Sequence, residues 1–76
     1  MNVDTLFASD PAVEFLRTYR EWRYVYGLHD PCIDELKAAI VVESAREALT
    51  LEQRDRLECL VRLIDREQRQ AMEQAA

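Results

Sequence analysis

The sequence is poor in the residues that build ligand-binding loops and metal sites. It contains one glycine, two prolines, one histidine and two cysteines among 76 residues. A glycine-rich phosphate loop needs several glycines, and the chain has one. A structural zinc site needs four ligands, and the chain has three Cys and His residues in total. No HExxH motif or pair of cleft carboxylates is evident either. We therefore expect a protein that is not an enzyme and that uses no cofactor and no metal.

The two cysteines allow a second interpretation. His29 and Cys32 have the spacing of metal ligands, and Cys59 could approach them in space. A further pair of cysteines is absent, however, and free cysteine is among the most buried residue types. We interpret Cys32 and Cys59 as small buried hydrophobic residues.

Positive charge and long apolar runs are also scarce. The net charge is −5, and the acids are spread along the chain so that no segment has a basic excess. Phosphate neutralisation needs such an excess, so direct binding to nucleic acid or to an anionic membrane surface is not expected. The longest apolar run, residues 38–42, is far too short to span a bilayer. Since no basic-then-apolar leader is evident, we expect a cytoplasmic protein with reduced thiols.

What the sequence does contain is a helical composition with marked helix boundaries. Hydrophobic residues make up 49% and charged residues 33%, which is typical of a helical globular chain. Asp10-Pro11 and Asp30-Pro31 each predict a helix start, because Asp caps free backbone N–H groups and Pro suits the first helical position. Gly27 predicts a helix end. Thr50-Leu51-Glu52-Gln53 predicts a capping box that begins a third helix.

Apolar residues at helical spacing form one stripe on the first helix and one on the third, and both stripes predict core positions. The stripe of the first helix consists of Ala12, Phe15, Leu16, Tyr19, Trp22 and Tyr26. The stripe of the third helix consists of Leu57, Leu60, Val61, Ile64 and Ala71.

The second helix carries two apolar faces. Its first half presents Cys32, Ile33, Leu36, Ala39 and Ile40. Its second half presents, on nearly the opposite side, Ala38, Val41, Val42, Ala45 and Leu49. Either the helix breaks near Val41, or one central helix has a different neighbour on each side. Since no Gly or Pro marks a break, the sequence favours one continuous helix that reaches Leu49.

These elements predict an all-α fold, a small three-helix bundle that forms one domain over residues 1–76. An N-terminal arm covers residues 1–9, and residues 74–76 form a frayed tail. The third helix is the longest and partly projects, because its apolar stripe thins after Ile64. The ion pairs expected along its solvated face are Glu52–Arg56, Glu58–Arg62 and Asp65–Arg69.

One face of the first helix is left unexplained by capping and core packing. Basic and aromatic residues alternate in residues 17–24, and helical geometry places four residues within about 60° of one another. These four are Val13, Arg17, Arg20 and Tyr24. Arg and Tyr are favoured at the centres of protein interfaces, so this face predicts a partner contact. The apolar pair Leu6-Phe7 and the charged face of the third helix are further candidates.

Other interpretations of this face stay open. Arg17 and Arg20 could be plain surface residues that pair with nearby acids, namely Glu14, Glu21, Glu43 or Glu47. Basic residues interleaved with aromatics could also contact nucleic acid, which the acidity of the chain opposes. A DNA-binding helix-turn-helix is not favoured, because its recognition helix would offer Lys37 and Arg46 among four acids.

The segment YREWRYVYGLHDP, residues 19–31, together with the short, acidic and helical character of the chain, carries a resemblance. The chain resembles small phage-encoded proteins that take over host machinery, such as RNA-polymerase-binding antitermination proteins and small anti-CRISPR proteins. The resemblance to the former implies binding to host RNA polymerase, inhibition of initiation and read-through of terminators. It assigns no functional residue.

The sequence thus predicts a non-enzymatic, small acidic regulator, an adaptor or inhibitor that binds a larger intracellular bacterial protein complex. The residues expected to bind the partner are Leu6, Phe7, Val13, Arg17, Arg20 and Tyr24. The alternatives are an inhibitor of another host system and a self-assembling helical structural protein.

Overall fold

The computed structural model of the protein describes residues 10–75, with side chains to Gln74, and contains three helices. They are α1 (Pro11–Tyr26), α2 (Pro31–Ser44) and α3 (Leu51–Ala75). Each helix packs against both others, and residues 10–75 contain no strand. The prediction of a three-helix bundle whose third helix is the longest is confirmed. The candidate residues Leu6 and Phe7 lie outside the described residues.

The predicted helix starts are confirmed atom by atom for α1 and α2. The Asp10 carboxylate accepts a hydrogen bond from the Ala12 N–H at 3.0 Å, and the Asp30 carboxylate accepts one from the Cys32 N–H at 3.0 Å. Each satisfies a donor that has no partner within its helix. α1 ends as expected before Gly27, whose φ of +91° lies in the left-handed region that favours glycine.

The capping box before α3 is also present. The Gln53 N–H donates to Thr50 Oγ1 at 3.1 Å, and the Thr50 N–H donates to Gln53 Oε1 at 2.9 Å. The two side chains therefore satisfy each other's backbone donors, as the sequence predicts.

α2 ends at Ser44, so the prediction of a continuous helix to Leu49 is wrong. Arg54 of α3 donates to the carbonyl of Ser44 at 2.9 Å and to the carbonyl of Arg46 at 3.1 Å. The first bond satisfies a carbonyl at the helix end that has no partner within the helix, and the second holds the turn that follows, which contains neither Gly nor Pro. The second apolar face of α2 accordingly has no helical neighbour among the described residues, and Val42 is 72% exposed.

The core lies where the three helices meet. Its buried hydrophobic residues are Ala12, Tyr19, Ile33, Leu36, Ile40, Leu57, Leu60 and Ile64. Phe15, Leu16 and Trp22 pack against it in part. On the stripe predicted for α1 and the first face predicted for α2, Tyr26 and Ala39 are exposed. Tyr26 is the last residue of α1, where neighbours are fewer, and Ala39 lies about 100° around α2 from Ile40, at the edge of the stripe.

Ion pairs in the bundle join helices more than they run along α3. Of the three predicted pairs only Glu58–Arg62 forms, at 3.8 Å. The prediction for Arg56 is wrong because it pairs with Asp10 at 2.5 Å. The prediction for Asp65 is wrong because it pairs with Lys37 of α2 at 2.9 Å. Asp10 is buried and so attracts Arg56 more strongly than the exposed Glu52 would. Lys37 is less exposed than Arg69, which strengthens its attraction to Asp65.

A polar cluster also links α2 to α3. Lys37 Nζ donates to Gln68 Oε1 at 2.6 Å as well as to Asp65. The Gln68 amide in turn donates to the carbonyl of Leu28 at 2.8 Å, in the α1–α2 turn.

Over the part of the chain that the structure describes, no helix is long and apolar enough to cross a membrane.

Candidate protein-binding site

An open groove of about 490 Å³ runs between α1 and α3. Its apolar wall residues are Ala12 and Leu16 of α1 and Cys59, Leu60 and Leu63 of α3. Three arginines of α3 also line it, Arg56, Arg62 and Arg66. Leu63 is 37% exposed and Cys59 is exposed, so part of this apolar surface faces solvent. We call this feature the α1–α3 groove.

Two ion pairs show the relative orientation of α1 and α3, the two walls of the groove. Arg56 of α3 pairs with Asp10 at the start of α1, and Arg23 near the end of α1 pairs with Glu67 of α3 at 2.5 Å. Asp10 and Arg23 are thirteen residues apart on α1, and their partners Arg56 and Glu67 are eleven residues apart on α3. The two helices therefore run in the same direction, with nearly matched height along the groove.

The predicted basic face borders the α1–α3 groove. Arg20 lies one turn beyond Leu16 on the same side of α1, since residues at i and i+4 are neighbours on a helix surface. It also precedes Arg23, whose partner is Glu67, and Arg66 directly precedes Glu67. Arg20 and Arg66 are therefore at similar heights on opposite sides of the groove.

The four sequence-predicted residues of α1 lie on one face of that helix. Arg17, Arg20 and Tyr24 are exposed, Tyr24 to 92%, and Val13 is half-buried. Within residues 10–74 neither Arg17 nor Arg20 forms an ion pair or a side-chain hydrogen bond, and neither does Arg66. The interpretation in which nearby acids neutralise Arg17 and Arg20 is not supported there.

All but one of the other basic residues form an ion pair or a side-chain hydrogen bond. Glu43, one of the acids considered for Arg17 and Arg20, pairs with Arg46 at 2.5 Å instead. Of the ten Lys and Arg residues, Arg69 is the only further one with no ion pair or side-chain hydrogen bond among residues 10–74. Of the four arginines unpaired among these residues, Arg66 lines the apolar groove and Arg20 lies one turn beyond Leu16 of its lining.

Tyr19 lies in the core next to the Arg23–Glu67 pair. Its ring is 5.4 Å from the Arg23 guanidinium, in cation–π geometry, and it is 1% exposed. Its hydroxyl is buried without a well-formed hydrogen bond among the described residues, although it lies next to the Arg23 guanidinium and the Glu67 carboxylate. Burial raises the pKa of Tyr19, and the nearby Glu67 carboxylate raises it further.

The two cysteines have different environments, and both are free thiols. Cys32 is half-buried and packs against the core, and its pKa is raised by desolvation and by the Asp30 carboxylate. Cys59 is exposed in the α1–α3 groove, so the prediction that it is buried is wrong. The reason is its position about 100° around α3 from Leu60. Among the described residues, no three His, Cys, Asp or Glu side chains are grouped to hold a metal ion.

The α3 wall of the groove was not among the predicted site residues. Leu63 and Arg66 lie beside the apolar stripe rather than within it, so helical periodicity alone gave them no role. A signal was present in Leu63, a large apolar residue that follows a core residue by three positions and widens the stripe toward α1. Recognising it requires knowing which flank of α3 faces α1.

Comparison with known proteins gives no match: no family model, no curated protein and no solved structure is significantly similar to the chain.

Proposed function

We propose that the protein is a small acidic regulator that binds a larger protein through one surface of the bundle. This binding surface consists of the α1–α3 groove together with Arg17, Arg20 and Tyr24. One observation carries the proposal: in a chain of net charge −5, Arg66 lines a partly exposed apolar groove and Arg20 lies one helical turn beyond Leu16 of that lining, and neither has an ionic partner among residues 10–74. Arg and aromatic residues are enriched where protein interfaces have their strongest contacts.

The surface fits binding better than catalysis. Its titratable members are arginines, one tyrosine and one cysteine, and arginine is permanently charged at physiological pH. No nucleophile–base pair or metal cluster is formed there among the described residues. An adaptor or inhibitor needs only a surface of this kind, which acts by occupying its partner.

The resemblance to phage host-takeover proteins supplies a specific partner. On that basis the larger protein is bacterial RNA polymerase, and binding inhibits initiation and promotes read-through of terminators. The test is a direct titration of the labelled protein with purified bacterial RNA polymerase core and holoenzyme, followed by single-round transcription on a template with one terminator. Absence of binding at micromolar concentration removes polymerase as the partner.

The broader proposal is tested by affinity capture from bacterial lysate, with the captured partner then purified for binding measurements. We expect Arg20→Glu and Tyr24→Ala to weaken binding to that partner by about tenfold or more, with unchanged helicity by circular dichroism. Arg69→Glu is the matched control, because Arg69 is an exposed arginine of α3 that does not line the α1–α3 groove. Wild-type affinity in both surface variants would contradict the proposal.

A self-assembling protein is the second candidate, and exposed apolar residues on α2 support it. Val41 is 54% and Val42 72% exposed, on the face for which the structure gives no neighbour among the described residues. Sedimentation equilibrium decides between the candidates. A concentration-dependent oligomer that Val42→Glu abolishes supports self-assembly, whereas a monomer at about 100 μM excludes it at ordinary cellular concentrations.

A further inference from the structure

The α1–α3 groove has the dimensions of a site for a short helix. Its wall on α3 extends from Arg56 to Arg66, which is roughly 15 Å at a rise of 1.5 Å per residue. That length matches about three turns of a helix laid along it. A helix of this length presents apolar side chains at i, i+3 or i+4, and i+7 to one side, and these would cover Leu16, Cys59 and Leu63.

The charges beside the groove favour a ligand that carries negative charge. Arg56 and Arg62 already have acidic partners, Asp10 and Glu58. Arg66 on the α3 side has no ionic partner among residues 10–74, and neither has Arg20, its counterpart across the groove. A helix bound between them meets cationic side chains on both flanks, so carboxylates beside its apolar stripe would be paired and lysines would be repelled.

The apolar lining of the groove favours a peptide over a nucleic acid as its ligand. Nucleic acids are bound mainly through phosphate contacts, with bases stacked on aromatic rings. Among the described residues the groove floor is aliphatic, formed by Ala12, Leu16, Leu60 and Leu63, and none of the lining residues there is aromatic. The net charge of −5 adds long-range repulsion against a polyanion, whereas a short peptide with a few carboxylates is repelled far less.

From these observations we infer that the α1–α3 groove binds an acidic amphipathic helix of the partner protein, with apolar side chains on Leu16 and Leu63 and carboxylates on Arg20 and Arg66. This inference rests on the proposed function and names the chemistry of the segment that is recognised. The recognised helix is about ten residues long and carries acids on both sides of one apolar stripe.

The test uses three fluorescein-labelled synthetic probes and the full-length protein. The first is a peptide of about 14 residues with Leu at i, i+3 and i+7 and with Glu at the flanking positions. The second has every Glu replaced by Lys, and the third is a single-stranded DNA of about 12 nucleotides. Fluorescence anisotropy is measured at about 50 mM and about 300 mM salt, because screening weakens exposed ion pairs. We expect the acidic peptide to bind at least about tenfold more tightly than either other probe, and more weakly at high salt.

Variants of the protein locate the binding site. Leu63→Glu and Arg66→Glu should each weaken binding of the acidic peptide by about tenfold, the first through loss of the apolar floor together with an added negative charge, and the second through charge alone. Both positions are exposed enough for the bundle to fold, which circular dichroism and thermal melting check. Arg69→Glu changes the net charge equally and should leave binding within about twofold of wild type, which separates local pairing from overall charge.

Several outcomes would overturn the inference. They are equal affinity for the acidic and basic peptides, no binding of the acidic peptide, tighter binding of the DNA, and equal losses in Arg66→Glu and Arg69→Glu. Binding measurements with the partner recovered from lysate distinguish failure of the groove inference from failure of the broader proposal. If that partner still binds with wild-type affinity to Leu63→Glu and Arg66→Glu but not to Arg20→Glu or Tyr24→Ala, the groove inference fails and the protein-binding function stands.

Discussion

Arg56 of α3 is bound to Asp10, the residue that begins α1. Arg56 Nε lies 2.5 Å from Asp10 Oδ2, while Asp10 Oδ1 accepts the Ala12 N–H at 3.0 Å. Asp10 is only 4% exposed, so its charge is largely removed from water and depends on these two contacts. One carboxylate therefore caps the first helix and joins it to the third.

Replacement of Asp10 should consequently destabilise the protein more than replacement of an ordinary helix cap. We expect Asp10→Ala to lower the free energy of unfolding by about 2–3 kcal/mol, because cap and interhelical bond are lost together. Asp10→Asn keeps an oxygen for the cap and should lose about half as much. The measurement is urea unfolding followed by circular dichroism.

The chain supplies a matched control for this prediction. Asp30 makes the same cap, to the Cys32 N–H, and has no ion pair among the described residues. Asp30→Ala should therefore lose only about 1 kcal/mol, the usual effect of a cap. Equal losses at the two positions would show that the Arg56 contact contributes nothing.

The contrast between Asp10 and Asp30 also shows how far the sequence predicts the structure. Both caps are visible in the sequence because capping is local, as is the exchange of bonds between Thr50 and Gln53. The arginine that reaches Asp10 comes from 46 residues away, and no local pattern distinguishes it from an i,i+4 partner of Glu52. Local signals were therefore predictable, and cross-helix partners were not.

The same distinction applies to the end of α2 and to the candidate site. The end at Ser44 depends on Arg54, which approaches from α3 and leaves no Gly or Pro signal. Helical geometry correctly grouped Arg17, Arg20 and Tyr24 on one exposed face of α1. It could not supply Leu63 and Arg66, because the groove exists only once α1 and α3 are packed side by side. Positions Leu6 and Phe7 stay predictions.

A second prediction concerns the Tyr19 hydroxyl, which is buried without a well-formed hydrogen bond among the described residues. Such a group loses its bonds to water on folding and gains no well-formed bond in return, a penalty of about 1–3 kcal/mol. Tyr19→Phe removes the hydroxyl and keeps the ring that faces Arg23, so we expect the free energy of unfolding to rise by about 1 kcal/mol. Thermal and urea unfolding measure it.

The control for this change is Tyr24→Phe, because Tyr24 is 92% exposed and its hydroxyl is in water. That variant should unfold as the wild type does, within about 0.5 kcal/mol. A destabilisation by Tyr19→Phe would mean that the hydroxyl has a partner in solution, such as the adjacent Glu67 carboxylate or an ordered water molecule.

A third prediction concerns the reactivity of the two thiols. Cys59 is exposed, whereas Cys32 is half-buried with a raised pKa, and the thiolate is the reactive form. With a disulfide reagent at about pH 8, one thiol should react rapidly and the other at least about tenfold more slowly. Mass spectrometry of the briefly treated protein should locate the modification at Cys59. The variant Cys59→Ser should retain only the slow phase, and a fast phase in that variant would contradict the assigned environments.

The last prediction is a loss of stability at alkaline pH. Burial and the Glu67 charge raise the pKa of Tyr19, and hydrogen bonding to Asp65, with the nearby Asp34 charge, raises the pKa of Lys37. Both groups therefore keep their protons in the folded chain at a pH where the unfolded chain has begun to release them. The free energy of unfolding should be constant with respect to these groups below about pH 9, and it should fall as the pH passes their ordinary values of about 10 and 10.5.

Two variants separate the contributions of Tyr19 and Lys37 to this alkaline loss. Urea unfolding between about pH 8 and pH 11 should give a shallower decline for Tyr19→Phe and for Lys37→Met than for wild type, because each variant removes one of the linked protons. Tyrosinate absorbance gives an independent measurement: the difference in absorbance between wild type and Tyr19→Phe should appear only as the protein unfolds. If that difference appears with no loss of helicity, Tyr19 is accessible to solvent, and the core arrangement described for α1 is wrong.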